Sequence, residues 1–112
     1  HKEKLKEIVL SQQTPVLAYG ASARSSTLLN YCDLDYNWVD SVIDKNPLKQ
    51  GLLMPGSEIP VISYRGGVQK AEGRNRILLL AWNFQNEIVD ELRRSGYLGK
   101  FIIPLPGLPV IQ

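Results

Sequence analysis

Histidine is all but missing from this sequence, the one imidazole being His1. The chain opens on it without a methionine, and it reads as the remnant of a purification tag on a domain cut from a longer protein. With His1 discounted, no Ser/His/Asp or Cys/His catalytic set can be assembled. Metal-ligand spacing is missing too, because Cys32 is the single cysteine. One cysteine excludes an internal disulfide and fits a reducing, cytoplasmic setting. Apolar runs stay far short of membrane-spanning length and no signal peptide is visible, so no membrane partner is expected. A formal net charge of +2 gives no electrostatic footprint for nucleic acid. The densest basic patch, Arg74 and Arg76, reads as a solvated strand edge. Internal repeats are absent, and the paired carboxylates Asp33/Asp35 and Asp90/Glu91 read as solvated surface. What remains is one domain, 44% apolar and 21% charged, large enough for a two- or three-layer core. It has the parts of a binding module and lacks those of a catalyst.

The organising stretch runs from Thr14 to Cys32, TPVLAYGASARSSTLLNYC. An apolar run, Val16 to Tyr19, breaks at Gly20 into small residues and then resumes at helical spacing. This is the pattern of a buried parallel strand, a tight turn and a helix. Such a junction presents unpaired N–H groups and a favourable dipole to an anion. Gly20, Ala21, Ser22 and Ala23 leave room for a phosphate, and Arg24, Ser22, Ser25, Ser26 and Thr27 offer charge and donors. The same small residues also suit a helix that simply packs close to its sheet. Ser22 and Ser25 stand where the second and third glycines of a G-x-G-x-x-G fingerprint would be.

Along the rest of the chain, residues Lys2 to Gln12 read as a helix with Leu5, Ile8 and Val9 on one face. Residues 1–13 are expected to link an upstream domain to a Rossmann-like domain at 14–112. The first crossover helix is expected from Ala23 to Tyr31, with Leu28, Tyr31 and Cys32 facing the core. Val39 to Asp44 is the second strand. Asp44 lies at the spacing where dinucleotide-binding folds place an acid for a ribose hydroxyl; with Lys45, Asn46 and Pro47 it also fits a polar strand exit or Asx-turn. Pro47 to Pro60 shows no helical period, so the helix after the second strand is missing. Pro60 to Ser63 gives a short edge strand, and Gly66, Gly67 and Gly73 leave room for at most one helical turn near Val68 to Ala71. Arg76 to Trp82 reads as a strand buried on both faces. Phe84, Ile88, Val89 and Leu92 stripe the following helix, Asn83 suits its N-cap, and Gly96 suits its C-cap. Lys100 to Leu105 is the last strand, after which Pro104, Pro106 and Pro109 send the tail across the surface. The expected fold is α/β: a Rossmann-like three-layer domain with a mainly parallel sheet of four to five strands. The aromatics Tyr19, Tyr31, Trp38, Trp82, Phe84 and Phe101 fall mostly at core positions. Gly20, Asp44, Trp82 and Asn83 converge on the carboxyl ends of strands, where open sheets bind ligands.

Three stretches in order, YGASARSSTLLNYC, VIDKNPLKQGLLMPGSEIPV and LLLAWNFQNEIVDELRRSG, resemble the C-terminal domain of SAM-dependent sugar C-methyltransferases. The resemblance covers nearly the whole chain, from about Val16 to Pro106. It implies that zinc, SAM and the catalytic residues reside in upstream domains. It also implies that this domain helps to enclose a nucleotide-linked keto-deoxysugar. The matching positions are Gly20, Ala21, Ala23, Arg24, Thr27 and Asn30; then Asp44, Lys45, Asn46, Pro47, Lys49, Gln50 and Gly51; then Trp82, Asn83, Glu87 and Ile88. Ser22 and Ser25-Ser26 depart from the family pattern, and Ser25 narrows the space for a phosphate. The second stretch also resembles nucleotide-binding domains of polysaccharide-biosynthesis epimerases and dehydratases. Two other readings stay open: a nucleotide or dinucleotide sensor, and a structural or oligomerisation module whose crevice is blocked by Trp82, Tyr19 or the tail.

Overall fold

The computed structural model describes residues 2–11 and 14–112. Its elements are α1 (Lys2–Leu10), β1 (Val16–Tyr19), α2 (Ala23–Tyr31), β2 (Val39–Ile43), β3 (Val61–Ile62), α3 (Tyr64–Ala71), β4 (Arg76–Leu79), a 3-10 turn (Trp82–Phe84), α4 (Gln85–Arg94), β5 (Lys100–Ile103) and β6 (Val110–Ile111). The strands form one sheet in the order β3-β2-β1-β4-β5-β6. All neighbours are parallel except β5 and β6. This is the expected Rossmann-like α/β arrangement, with one strand more than the four to five anticipated.

Strand alternation sends side chains to two cores. Val16 and Ala18 of β1 join Leu78 of β4 beneath α1, α2 and the long 44–60 connection. Leu17 and Tyr19 join Ile77 and Leu79 beneath α3 and α4. Leu5, Ile8 and Val9 bury the expected face of α1 in the first core; Gln12 lies outside the described residues. The first crossover helix has the expected bounds, but its buried set is Ser25, Ser26 and Leu29, followed by Cys32. Leu28 is half-buried and Tyr31 is exposed. Of the expected set only Cys32 is fully buried, because the small serines let α2 pack closely on the sheet through Ser25, Ser26 and Leu29.

Two further expectations are corrected. The segment after β3 is a full helix, α3, begun by Ser63, whose hydroxyl accepts the Gly66 N–H at 3.1 Å. Its glycines mark close packing: a Cβ at Gly67 would overlap the Ile43 side chain of β2. The tail does not simply cross the surface either. Pro104, Pro106 and Pro109 occupy a reversal, and Val110 and Ile111, past the last proline, pair antiparallel with Ile103 and Ile102. Gln112 and Phe101 exchange N–H···O bonds of 2.8 Å.

Of the aromatics expected in the core, Tyr19 and Phe101 are buried, whereas Tyr31, Trp38 and Phe84 are exposed. The helix α4 accordingly buries Ile88 and Leu92, with Val89 partly covered, and leaves Phe84 out. Its C-terminus ends as expected: Gly96 at φ +98 donates to Arg93 O, and Tyr97 donates to Leu92 O, both at 3.0 Å.

Candidate functional site

Strand order reverses between β1 and β4, which both pair with each other and carry their chain continuations to opposite sides. At such a switch point the two loops diverge and leave a crevice at the carboxyl ends. The approach there is close. Tyr19 O accepts from Leu80 N at 3.0 Å and from Ala81 N at 3.1 Å. Gly20 has φ +106, and a Cβ on it would lie 2.7 Å from Ala81 Cβ. Only glycine meets both demands. The crevice that opens in front of this contact has a volume of about 460 Å³ and is lined by Ser22, Ala23, Arg24, Leu80, Ala81, Asn83 and Phe84.

Ser22 is the N-cap of α2, its hydroxyl accepting the Ser25 N–H at 3.1 Å. The Ser25 hydroxyl lies 3.0 Å from that of Ser22 and is buried, while the Ser26 hydroxyl donates to Pro55 O at 3.1 Å. Thr27 donates back to Ala23 O at 3.1 Å. The serines and threonine that looked like anion donors are therefore structural in this loop. The first-turn N–H groups of Ala23 and Arg24 have no intrahelical acceptor, and both residues line the crevice. Arg24 and Asn83 are the two polar side chains there that form no hydrogen bond or ion pair among the described residues.

Asp44 follows β2, and both of its carboxylate oxygens accept backbone N–H groups, the polar strand exit that its spacing allowed. Its Oδ1 accepts the Asn46 N–H at 2.8 Å, the Asx-turn arrangement. Its Oδ2 accepts the Ala21 N–H at 2.8 Å, which ties the strand exit to the glycine turn. Asn46 repeats the device, accepting the Leu48 N–H at 3.0 Å. Lys49 reaches over and donates to Ala21 O at 2.6 Å, and Gln50 donates to Asp44 O at 2.9 Å. Lys49 and Gln50 were positions carried by the resemblance, and the structure gives them the task of fixing the turn. Asp44 and Asn46 stand beside the crevice and do not line it.

Lys45 and Trp82 are not brought to the crevice. Lys45 pairs with Glu91 of α4 and lies over the Tyr64 ring at 5.1 Å. Trp82 is half-buried against the second core. Tyr19 donates to Glu91 Oε1 at 3.2 Å; burial, with the Glu91 charge second, pushes its phenol up. Asn83 lines the crevice but does not cap α4: it sits inside the 3-10 turn, and neither that turn nor α4 has a side-chain cap. The turn inserted before α4 moves Asn83 off the capping position. Neither Tyr19 nor Trp82 fills the crevice, and β6 holds the tail at the far edge of the sheet.

Sequence reasoning missed Phe84, an exposed ring on the crevice wall that the helical stripe had assigned to the core. Its position one residue past Asn83 was visible, but the intervening 3-10 turn was not. Cys32 is fully buried, and burial pushes its thiol up. Among the described residues no group of three or more His, Cys, Asp or Glu side chains can hold a metal ion, so they do not fit a zinc site. No described helix is long and apolar enough to cross a membrane.

The model of the C-methyltransferase C-terminal domain matches residues 1–106. The chain is 37% identical over 116 residues to the C-methyltransferase NovU of Streptomyces niveus, an alignment that takes in 99% of this chain and 26% of that protein. It thus spans about a quarter of the length of the curated relative it matches. The chain belongs to the C-methyltransferase C-terminal domain family.

Proposed function

We propose that this domain completes the substrate site of a SAM-dependent C-methyltransferase acting on a nucleotide-linked keto-deoxysugar. The observation that carries the reading is the crevice at the β1/β4 switch point, which joins two first-turn N–H groups to the unengaged Arg24 and Asn83. A guanidinium and helix N–H groups suit a diphosphate, and an amide suits a sugar hydroxyl or carbonyl. Ser22 and the Asp44–Asn46 turn would shape the rim. The relative's description as a C-methyltransferase supplies the reaction class.

Methylating a carbon beside a ketone requires loss of a proton there, so that electron density can move to the methyl group. Among the residues lining the crevice there is no carboxylate, imidazole or free amine to take it. On this reading the base, the methyl donor and any zinc belong to the rest of the parent protein, and the isolated domain would transfer no methyl group by itself.

A two-dimensional amide NMR titration of the domain with a dTDP-sugar, then NAD, then SAM tests this. Shifts at Ser22 to Arg24 and at Asn83 with the dTDP-sugar alone are expected. A response to NAD in its place would favour a dinucleotide sensor. Methyl transfer from SAM by the isolated domain would refute the division of labour.

A further inference from the structure

The long connection after β2 exposes leucines without being loose. Gly51 N donates to Val61 O, and Val61 N donates to Leu52 O, both at 2.9 Å. Met54 N donates to Ile59 O at 2.8 Å, and Leu53 bridges to Pro60. From α2, Ser26 and Asn30 both donate to Pro55 O, at 3.1 and 3.0 Å. Met54 and Ile59 are anchored in the first core. On this pinned scaffold Leu48 is 83% exposed, Leu52 57% and Leu53 59%. Beside them lies an apolar groove of about 390 Å³, walled by Ala21, Ala23, Leu52, Leu53, Met54 and Pro55. A rigid segment that holds neighbouring leucines in water is the pattern of a docking surface, since isolated folding gives no reason for it.

Its place identifies the occupant. Ser22 and Ala23 line both this groove and the crevice, so the two cavities meet at the head of α2. Met54 and Ile59 anchor the leucine-bearing connection in the core that also receives Leu5, Ile8 and Val9 of α1, so this connection and α1 lie on one side of the sheet. The family places this domain at the C-terminus, and about three quarters of the curated relative lies outside the match. A methyl donor held in that remainder must reach a substrate in the crevice, which brings the donor-holding part against this rim.

We propose that Leu48, Leu52 and Leu53 form the seat on which the upstream, donor-holding part of the same polypeptide docks, closing the crevice over the substrate. This rests on the substrate-site reading above. The groove gives the seat a pocket for an apolar anchor, and the crevice beside it supplies a polar margin.

Hydroxyl-radical footprinting of the intact parent enzyme tests it, with Leu98 as internal reference because that side chain is 90% exposed before β5, away from the crevice. Leu48, Leu52 and Leu53 should oxidise severalfold more slowly than Leu98, at every protein concentration and without ligand. Oxidation as fast as Leu98 would overturn the proposal. Protection that vanishes on dilution would overturn it in favour of a second copy, and protection that needs the nucleotide sugar would make the leucines part of the ligand site. In the parent carrying L52E and L53E, protection should be lost and kcat should fall roughly tenfold or more, as for central interface residues. Unchanged kcat with protection lost would also refute it. The circular dichroism of that variant checks its fold. Failure of the substrate reading looks different: the leucines stay protected, but a dTDP-sugar leaves Arg24, Asn83 and Phe84 as reactive as before.

Discussion

The Asp44 carboxylate accepts the Ala21 N–H from across two parallel strands, at 2.8 Å. The acid after β2 and the turn after β1 are therefore one structural unit, completed by Lys49 on the Ala21 carbonyl. In Asp44→Ala the N–H groups of Ala21 and Asn46 both lose their acceptor. Each such loss costs about 1–3 kcal/mol when the group is poorly solvated. Urea unfolding should show a loss of about 2 kcal/mol for Asp44→Ala and about half of that for Asp44→Asn, which keeps one acceptor oxygen. Equal stability of Asp44→Ala and the parent sequence would show that the carboxylate does not hold the turn.

Gly67 and Ile43 are coupled by contact. A Cβ at Gly67 would overlap Cγ1 and Cδ1 of Ile43, a fully buried side chain. Alanine at this position gains helix propensity but overpacks the interface, for a net cost of about 1–2 kcal/mol. Ile43→Ala alone leaves a cavity that costs about 2–5 kcal/mol. In the double variant the new methyl occupies part of that space, so the two costs should fall short of additivity by about 1 kcal/mol. Strict additivity in denaturant unfolding would place α3 farther from β2 than the structure has it.

The same pair explains what the sequence concealed. Periodicity exposed β1, α2, β4 and α4 because their apolar spacing is set by burial on a sheet. Gly66 and Gly67 hid α3, since a glycine chosen for close packing looks like a helix breaker until its neighbour is known. The prolines after Ile103 hid β6 for the opposite reason: they fill the reversal, and the pairing residues lie beyond them. At the crevice, Gly20, Arg24 and Asn83 were legible from the strand–turn–helix pattern. Ser26 was not, because its hydroxyl turns to Pro55 on a loop 29 residues away, and Ser25 was not, because its hydroxyl turns back to the capping Ser22. Lys45 was likewise drawn off by Glu91, a partner on another element.

Asp40 lies between Arg74 and Lys70, with Arg74 Nη2 at 2.7 Å and Lys70 Nζ at 3.5 Å. Burial pushes its carboxyl up, but the Arg74 hydrogen bond and the two cationic charges outweigh that and hold it below the ordinary range. A carboxyl depressed in the folded state contributes stability that is complete above its unfolded pKa, about 3.9, and is lost as pH falls through the lower folded value. Arg74→Ala also releases Pro15 O, which the guanidinium holds at 2.5 Å. The variant should be about 1 kcal/mol less stable at neutral pH, with the gap narrowing below about pH 4. A gap that stays constant into acid would assign the effect to the Pro15 contact alone.

Tyr97 provides the alkaline counterpart. Its ring packs edge-on against Phe101 with centroids 5.3 Å apart, and its hydroxyl donates to Lys100 O at 2.9 Å. Burial pushes the phenol up to about 12, with the Arg93 charge opposing. A phenolate would both face that carbonyl and lose its hydration, so the folded state holds the proton. The resulting stability is complete below the unfolded pKa of about 10 and is lost as pH rises from there through about 12. Tyr97→Phe should be about 1 kcal/mol less stable at neutral pH, through the lost hydrogen bond. That difference should close as pH climbs through this window, because the variant has no phenol to ionise there. In parallel, the late part of the phenolate absorbance rise should shrink in Tyr97→Phe. A stability difference that persists unchanged above about pH 11 would mean that the Tyr97 hydroxyl reaches water, and that its proton is not held by burial against β5.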